Sequence, residues 1–244
     1  MSQDAPKISV CMATYNGERH VEAQVASILA QLRPQDELVV SDDRSSDRTL
    51  ELIRGFGDGR IRVLENPGRG VTANFENALR HATGAYLFLS DQDDLWLEGK
   101  LPVTCEALES HALVVSDCRV ADGDGRTLYE SYFGLLGSGP GLARNFLRNS
   151  YLGCCMAFRR ELLELALPIP AGVAHDYWIG MLGELTGRPF FLRRALLVYR
   201  RHGANASYAA GKSERPLAAR VGSRALLAWQ LLRRMAQTRA GHGG

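Results

Sequence analysis

Asp91-Gln92-Asp93-Asp94 packs three carboxylates into one short turn of chain. It follows Ala85-Tyr86-Leu87-Phe88-Leu89-Ser90, an apolar stretch of strand character, and runs into Leu95-Trp96. Carboxylates crowded at the mouth of a buried strand repel one another and resist losing their water. A hard divalent cation with oxygen ligands offsets both costs. The alternative is an Asp-rich turn that only caps the following helix, a common use of Asp at helix N-termini.

Other residues with chemical potential are spread along the chain. His175-Asp176-Tyr177-Trp178 sets a carboxylate beside an imidazole and two aromatic rings. A carboxylate ionised at neutral pH serves as a general base once a hydroxyl lies within about 2.6–3.2 Å. His175 is the rival for that proton, and an Asp capping a helix that starts at Tyr177 is the structural alternative. Asp42 and Asp43 close a second apolar stretch, where Ser41 or Asp42 could equally cap a helix, and Thr14-Tyr15-Asn16-Gly17 closes a third. In Asn66-Pro67-Gly68-Arg69-Gly70, Gly70 admits close backbone approach and Arg69 offers a guanidinium to an anion. Arg200-Arg201-His202 adds two guanidinium groups suited to a diphosphate.

Such residues need a scaffold, and the first half of the chain reads as one. Strands are expected at 7–13, 37–41, 60–64 and 85–90. Between them, Val21, Val25, Ile28, Leu29 and Leu32 recur at helical spacing up to Pro34, a second helix runs through Leu50 and Ile53, and Phe75, Ala78, Leu79 and Ala82 mark one face of a third. This alternation predicts an α/β fold, a Rossmann-like, mostly parallel sheet flanked by helices. Ligands of such sheets sit outside the carboxyl ends of the strands. The loops at Thr14, Asp42, Asn66 and Asp91 all fall at that edge.

The second half is less regular. A fifth strand is expected at 112–118, a hairpin-type turn at Asp122-Gly123-Asp124-Gly125, and a mobile glycine-rich stretch at 134–141. Residues 151–158 read as a central strand, 159–166 as a short helix and 196–199 as a last short strand. A basic helical pattern fills 217–235. The expected organisation is one domain over 1–210, made of halves at 1–118 and 119–210 that the resemblance named below would make nucleotide-binding and acceptor-binding, followed by a basic C-terminal helix and tail at 211–244.

Composition narrows the class. The chain has 244 residues, 45% hydrophobic and 23% charged, enough for a sizeable core. A formal net charge of +2 gives no nucleic-acid signal, and no nucleic-acid partner is expected. Residues 1–7 are polar, and no apolar run approaches the roughly 18–20 residues of a membrane span. A cytoplasmic protein is expected. The five cysteines are odd in number and lack C-x-x-C spacing, so they read as buried free thiols. Metal ligation by Cys154-Cys155 has no recognisable partners in the sequence.

Taken together, these segments resemble the family-two glycosyltransferases of GT-A fold, and more narrowly bacterial rhamnosyltransferases of that family. The resemblance rests on Ser9 to Gly17, Val40 to Asp47, Phe88 to Trp96, His175 to Trp178 and Tyr199 to Gly203, in that order between about residues 8 and 207. It implies inverting transfer of a sugar from a dTDP- or UDP-sugar, dTDP-rhamnose by the narrower likeness. The acceptor would be a saccharide or polyprenyl-linked saccharide of bacterial surface polysaccharide. Thr14, Tyr15, Asn16, Asp42, Asp43, Arg69, Asn74, Asp91 and Gln92 would then hold the nucleotide-sugar, with Asp43 favoured over Asp42 for the base imide. Asp93 and His202 would hold Mg²⁺ or Mn²⁺, with Asp94 either a ligand or a supporting carboxylate. Asp176 would be the base, and Trp96, His175, Tyr177 and Trp178 would line the acceptor site.

Two rivals remain at this stage: a haloacid-dehalogenase-like phosphatase with Asp91 as nucleophile, and a non-catalytic nucleotide-sugar-binding protein. The first fits poorly, because Asp94-Leu95 follows the acidic pair and the motif does not follow the first strand. The arginines from Arg215 to Arg239 around Leu226, Trp229 and Leu232 either meet an anionic membrane, at the inner face of the plasma membrane, or form the solvated face of a packed helix.

Overall fold

The computed structural model describes residues 5–201 and 217–241. In chain order the elements are β1 (Ile8–Thr14), α1 (Val21–Leu29), β2 (Glu37–Asp42), α2 (Thr49–Gly55), β3 (Ile61–Glu65), α3 (Val71–His81), β4 (Tyr86–Asp91) and β5 (Leu95–Trp96). Then come α4 (Lys100–Leu108), β6 (Leu113–Asp122), β7 (Thr127–Tyr129), α5 (Tyr132–Leu136) and α6 (Leu142–Leu147). After a 3₁₀ turn at Gly153–Cys155 follow β8 (Met156–Arg159), α7 (Arg160–Ala166), α8 (His175–Thr186), β9 (Phe190–Arg201) and α9 (Leu217–Gly241).

One mixed sheet runs in the order β3-β2-β1-β4-β8-β6-β9-β5, with β7 paired to β6. The strands of the first half are parallel to one another, and β8 enters antiparallel to both β4 and β6. Every residue of β1 is buried, as befits an unbroken apolar strand covered on both faces. Val21, Val25 and Ile28 of α1 and Phe75, Ala78 and Leu79 of α3 turn their apolar stripes onto it.

The first half follows the expected pattern closely. Differences gather in the second. Only Met156–Arg159 of the expected strand at 151–158 is extended, because Gly153–Cys155 winds into a 3₁₀ turn beneath α8. There a Cβ on Gly153 would lie 3.0 Å from His175 Nε2. The last strand runs over twelve residues rather than four, because β6 supplies a parallel partner along its length even where Arg193 and Arg194 interrupt the apolar pattern. The glycine-rich stretch at 134–141 holds the end of α5, and Glu184 of α8 accepts the Gly141 amide at 2.8 Å. Neither α4 nor α6 is announced by strong periodicity.

Candidate active site

The carboxyl ends of β1 and β2 are stitched together by short polar side chains. Asp42 is buried, with Oδ1 accepting the hydroxyls of Thr14 (2.8 Å) and Ser45 (2.6 Å) and Oδ2 accepting the Ser45 amide (2.7 Å). Asn74 is equally buried and donates Nδ2 to the Thr14 carbonyl at 2.9 Å. Thr14, Asp42 and Asn74 brace the strand ends in this geometry, and the Asn74 Oδ1 has no hydrogen-bond partner among the described residues. Residues nearer the mouth remain accessible. Tyr15 is 58% exposed, and Asn16, in the left-handed region at φ 47°, accepts the Ser46 amide at 2.8 Å. Asp43 is half-buried and fixed by the Asn66 side chain (3.1 Å) and the Gly70 amide (2.7 Å), while Arg69 is exposed beside it.

The acidic turn closes β4. Gln92 reaches back to the Tyr15 backbone, and buried Gln24 donates to the Ser90 hydroxyl (2.8 Å) and the Asp91 carbonyl (3.2 Å). Arg200, near the end of β9, clamps the turn from the other side, its Nη1 donating to the carbonyls of Asp93 and Asp94 at 3.2 Å. Asp94 is completely buried. Its Oδ1 accepts the Arg200 amide at 3.3 Å, and its Oδ2 has no hydrogen-bond partner among the described residues.

Oxygens of Asp91 and Asp94 and the sulfur of Cys154 lie within 4.8 Å of one another. Enclosure by protein, then the charges of Asp93 and Asp176, pushes the Asp91 carboxyl up to about 8, although part of its surface reaches the cleft. Burial and the charges of Asp91 and Asp93 hold Asp94 well above the ordinary carboxylate range. An orphaned buried oxygen among crowded acids is a donor set that suits a divalent cation. The clustered donors are Asp91 and Asp94; Asp93 stands at the mouth, outside that group.

Asp176 lies in the first turn of α8, half-buried, with Oδ1 accepting the Tyr177 amide at 2.7 Å. A Cβ on Gly153 would lie 3.6 Å from the Asp176 Cβ, which sets Asp176 beside the 3₁₀ turn that carries Cys154. The neighbouring aromatic side chains are enclosed. Trp178 is fully buried with Nε1 donating to the Ala166 carbonyl at 2.8 Å, and Trp96 is 4% exposed, under Lys100 and beside Phe88. Neither ring has a free face for an acceptor. His175 is buried and stacked on Phe75 at 4.1 Å, and burial, opposed by the charge of Asp176, lowers its pKa. Tyr177 is half-buried and hydrogen-bonds the Phe146 carbonyl at 2.8 Å. His202 lies outside the described residues.

Sequence reasoning missed Gln24, Lys100, Cys154 and Glu184. Lys100 is buried, its Nζ 3.4 Å from both the Ser116 hydroxyl and the Cys154 carbonyl. Glu184 Oε1 accepts from Tyr151, Asn145 and Gly141, which fixes α6 and the approach to Gly153 against α8. A buried polar residue on an apolar helix was the only signal for the first two.

Comparison with known proteins bears on the family and the fold. The family model described as glycosyl transferase family 2 matches residues 9–166. The Escherichia coli protein UDP-Glc:alpha-D-GlcNAc-diphosphoundecaprenol beta-1,3-glucosyltransferase WfgD is 37% identical over 95 residues, 38% of this chain and 38% of that protein. This chain therefore matches well under half of that relative's length. Among solved structures, S. aureus TarS 1-349 in complex with UDP-GlcNAc superposes with a TM-score of 0.71 at 20% identity, over 93% of this chain and 66% of that one. A mannosyltransferase from Pyrobaculum calidifontis in complex with GDP-Man and Mn²⁺ gives a TM-score of 0.60 at 24% identity, over 99% and 77%. Both likenesses show the shared α/β fold.

Proposed function

The chain belongs to glycosyl transferase family 2, and from that premise we propose that it moves a sugar, with inversion, from a nucleotide-sugar to a lipid-linked saccharide. The observation that supports this reading is the approach of two acidic segments to the 3₁₀ turn at Gly153–Cys155: the Cys154 sulfur lies within 4.8 Å of oxygens of Asp91 and Asp94, and a Cβ on Gly153 would lie 3.6 Å from that of Asp176. A phosphatase built on Asp91 as nucleophile is set aside by the family match and by the enclosure of that carboxyl.

In this mechanism Asp176 accepts the proton of the attacking acceptor hydroxyl, within hydrogen-bond reach at the mouth of the cleft. Attack comes from the face opposite the leaving diphosphate, in a single displacement with no covalent sugar-enzyme intermediate. Tyr15, Asn16 and Asp43 would line the nucleotide end, with Gln92 fixing the Tyr15 backbone. Asp91 and Asp94, with Asp93 at the rim, would hold Mg²⁺ or Mn²⁺, which supplies charge neutralisation to the departing diphosphate. Arg200 keeps the acidic turn in place.

The motif likeness favours dTDP-rhamnose as donor; the names of WfgD and of the TarS complex favour a UDP-sugar. The WfgD name also supports a polyprenyl-diphosphate acceptor. Such an acceptor lies at a membrane, which we place at the inner face of the plasma membrane. The candidate contact is α9, which has no Asp or Glu from 217 to 241 and leaves Val221, Trp229 and Leu232 54–73% exposed while Leu227 and Leu231 pack inward. No helix among the described residues is long and apolar enough to cross a membrane.

Calorimetry of UDP-glucose and dTDP-rhamnose with and without Mn²⁺ tests the reading. Cation-dependent binding of one donor is expected, and failure of both to bind would end it. Metal-dependent hydrolysis of the bound donor without acceptor would separate an enzyme from a non-catalytic binding protein.

A further inference from the structure

We propose that Cys154 is a thiolate ligand of the cation held by Asp91 and Asp94, so that the site selects a borderline transition-metal ion (Co²⁺ or Zn²⁺) over Mg²⁺. The inference rests on the reading that the acidic turn binds a cation, and it adds a residue and a selectivity to it.

The 3₁₀ turn puts the thiol there. β8 runs antiparallel to β4 in a register that pairs Tyr86 with Arg159, Leu87 with Phe158 and Phe88 with Ala157. The turn at Gly153–Cys155 lies just beyond that pairing and carries the Cys154 sulfur to the oxygens of Asp91 and Asp94. The 3₁₀ turn pins the segment through the Cys155 amide, which donates to the Leu152 carbonyl at 3.0 Å. Sequence alone gave Cys154 no partners because its partners stand some 60 residues upstream.

The dimensions fit. Donor atoms of the three side chains lie within 4.8 Å of one another. Metal–oxygen bonds of about 2.1 Å and metal–sulfur bonds of about 2.3 Å set the ligands of a tetrahedral ion about 3.6 Å apart. The side chains draw together by up to about 1 Å when such an ion binds. Asp94 Oδ2, buried and unpartnered, supplies an independent sign of a missing ligand.

Charge and chemistry agree as well. Two carboxylates and a thiolate are balanced by a dication together with the ammonium of buried Lys100, whose Nζ lies 3.4 Å from the Cys154 carbonyl. Binding forms a metal–sulfur bond and releases the thiol proton to solvent. Sulfur ligands favour Co²⁺ and Zn²⁺, whereas Mg²⁺ holds to oxygen donors and its own waters.

Titration of the full chain with Co²⁺ provides the test. The wild-type protein should show a sulfur-to-cobalt charge-transfer band that Cys154→Ser abolishes and Cys155→Ser keeps. Cys154→Ser should weaken Zn²⁺ binding by on the order of 10-fold or more, release one proton fewer on binding, and leave Mg²⁺ affinity unchanged. A cobalt-saturated wild type without that band overturns the proposal, as does Zn²⁺ affinity unchanged in Cys154→Ser. If the variant fails to fold, zinc X-ray absorption of the wild type decides, an oxygen-only shell counting against sulfur ligation. An oxygen-only shell leaves the sugar-transfer reading standing, whereas no divalent binding with or without UDP removes the metal site altogether.

Discussion

Gln92 and Tyr15 close a two-way hydrogen bond across the mouth of the cleft. The amide oxygen accepts the Tyr15 N–H at 2.8 Å, and the amide nitrogen donates to the Tyr15 carbonyl at 2.9 Å. Gly17 makes room for it, since a Cβ there would fall 2.3 Å from Gln92 Oε1. Gln92→Ala and Gly17→Ala should each weaken donor binding by about 10-fold, or ~1.4 kcal/mol, by calorimetry. Because both act on one contact, the double variant should lose less than the sum. Additive losses would separate the two residues.

Asp176→Asn should lower the transfer rate by roughly 10²–10⁴-fold while donor affinity stays within about twofold. The substitution keeps the shape and removes the basic oxygen. Retained turnover would hand the base role to another group.

The raised pKa of Asp91 makes stability depend on pH. A carboxyl near 3.9 in the unfolded chain and about 8 in the fold binds more protons when native, so its contribution is full below about 4 and is lost as pH rises towards 8. The metal-free protein should melt at progressively lower temperature across that window. Asp91→Asn should flatten the slope, and added Mn²⁺ should restore stability at the upper end. A wild-type profile no steeper than the variant's would contradict this.

Glu184→Ala should destabilise the fold by about 3 kcal/mol, because it strands the Tyr151 hydroxyl, the Asn145 amide and the Gly141 N–H in a largely buried setting. Denaturant melts measure it directly. A loss below about 0.5 kcal/mol, the scale of ordinary surface changes, would mean that water replaces the carboxylate freely.

How far the sequence could be read follows from which interactions are local. The strands β1 to β4 and helices α1 to α3 carry regular periodicities and turn residues, so their order and the loops at Thr14, Asp42 and Asp91 were legible. Asp176 could be picked out through its motif. The burial of Trp96 and Trp178 was not legible, because an aromatic ring beside a carboxylate looks the same in sequence whether it faces a ligand or the core. Cys154 could not be linked to Asp91 at all, since their pairing depends on β8 entering antiparallel. The extent of β9 was hidden for a similar reason: its length is set by β6, not by its own Arg-interrupted pattern.

All five thiols, at Cys11, Cys105, Cys118, Cys154 and Cys155, are buried and unbridged. An alkylating reagent can therefore reach them only when the molecule transiently opens. Their labelling rates form a built-in clock, with Cys11 on the central strand timing the rarest openings and Cys154 reporting whether the cleft is occupied.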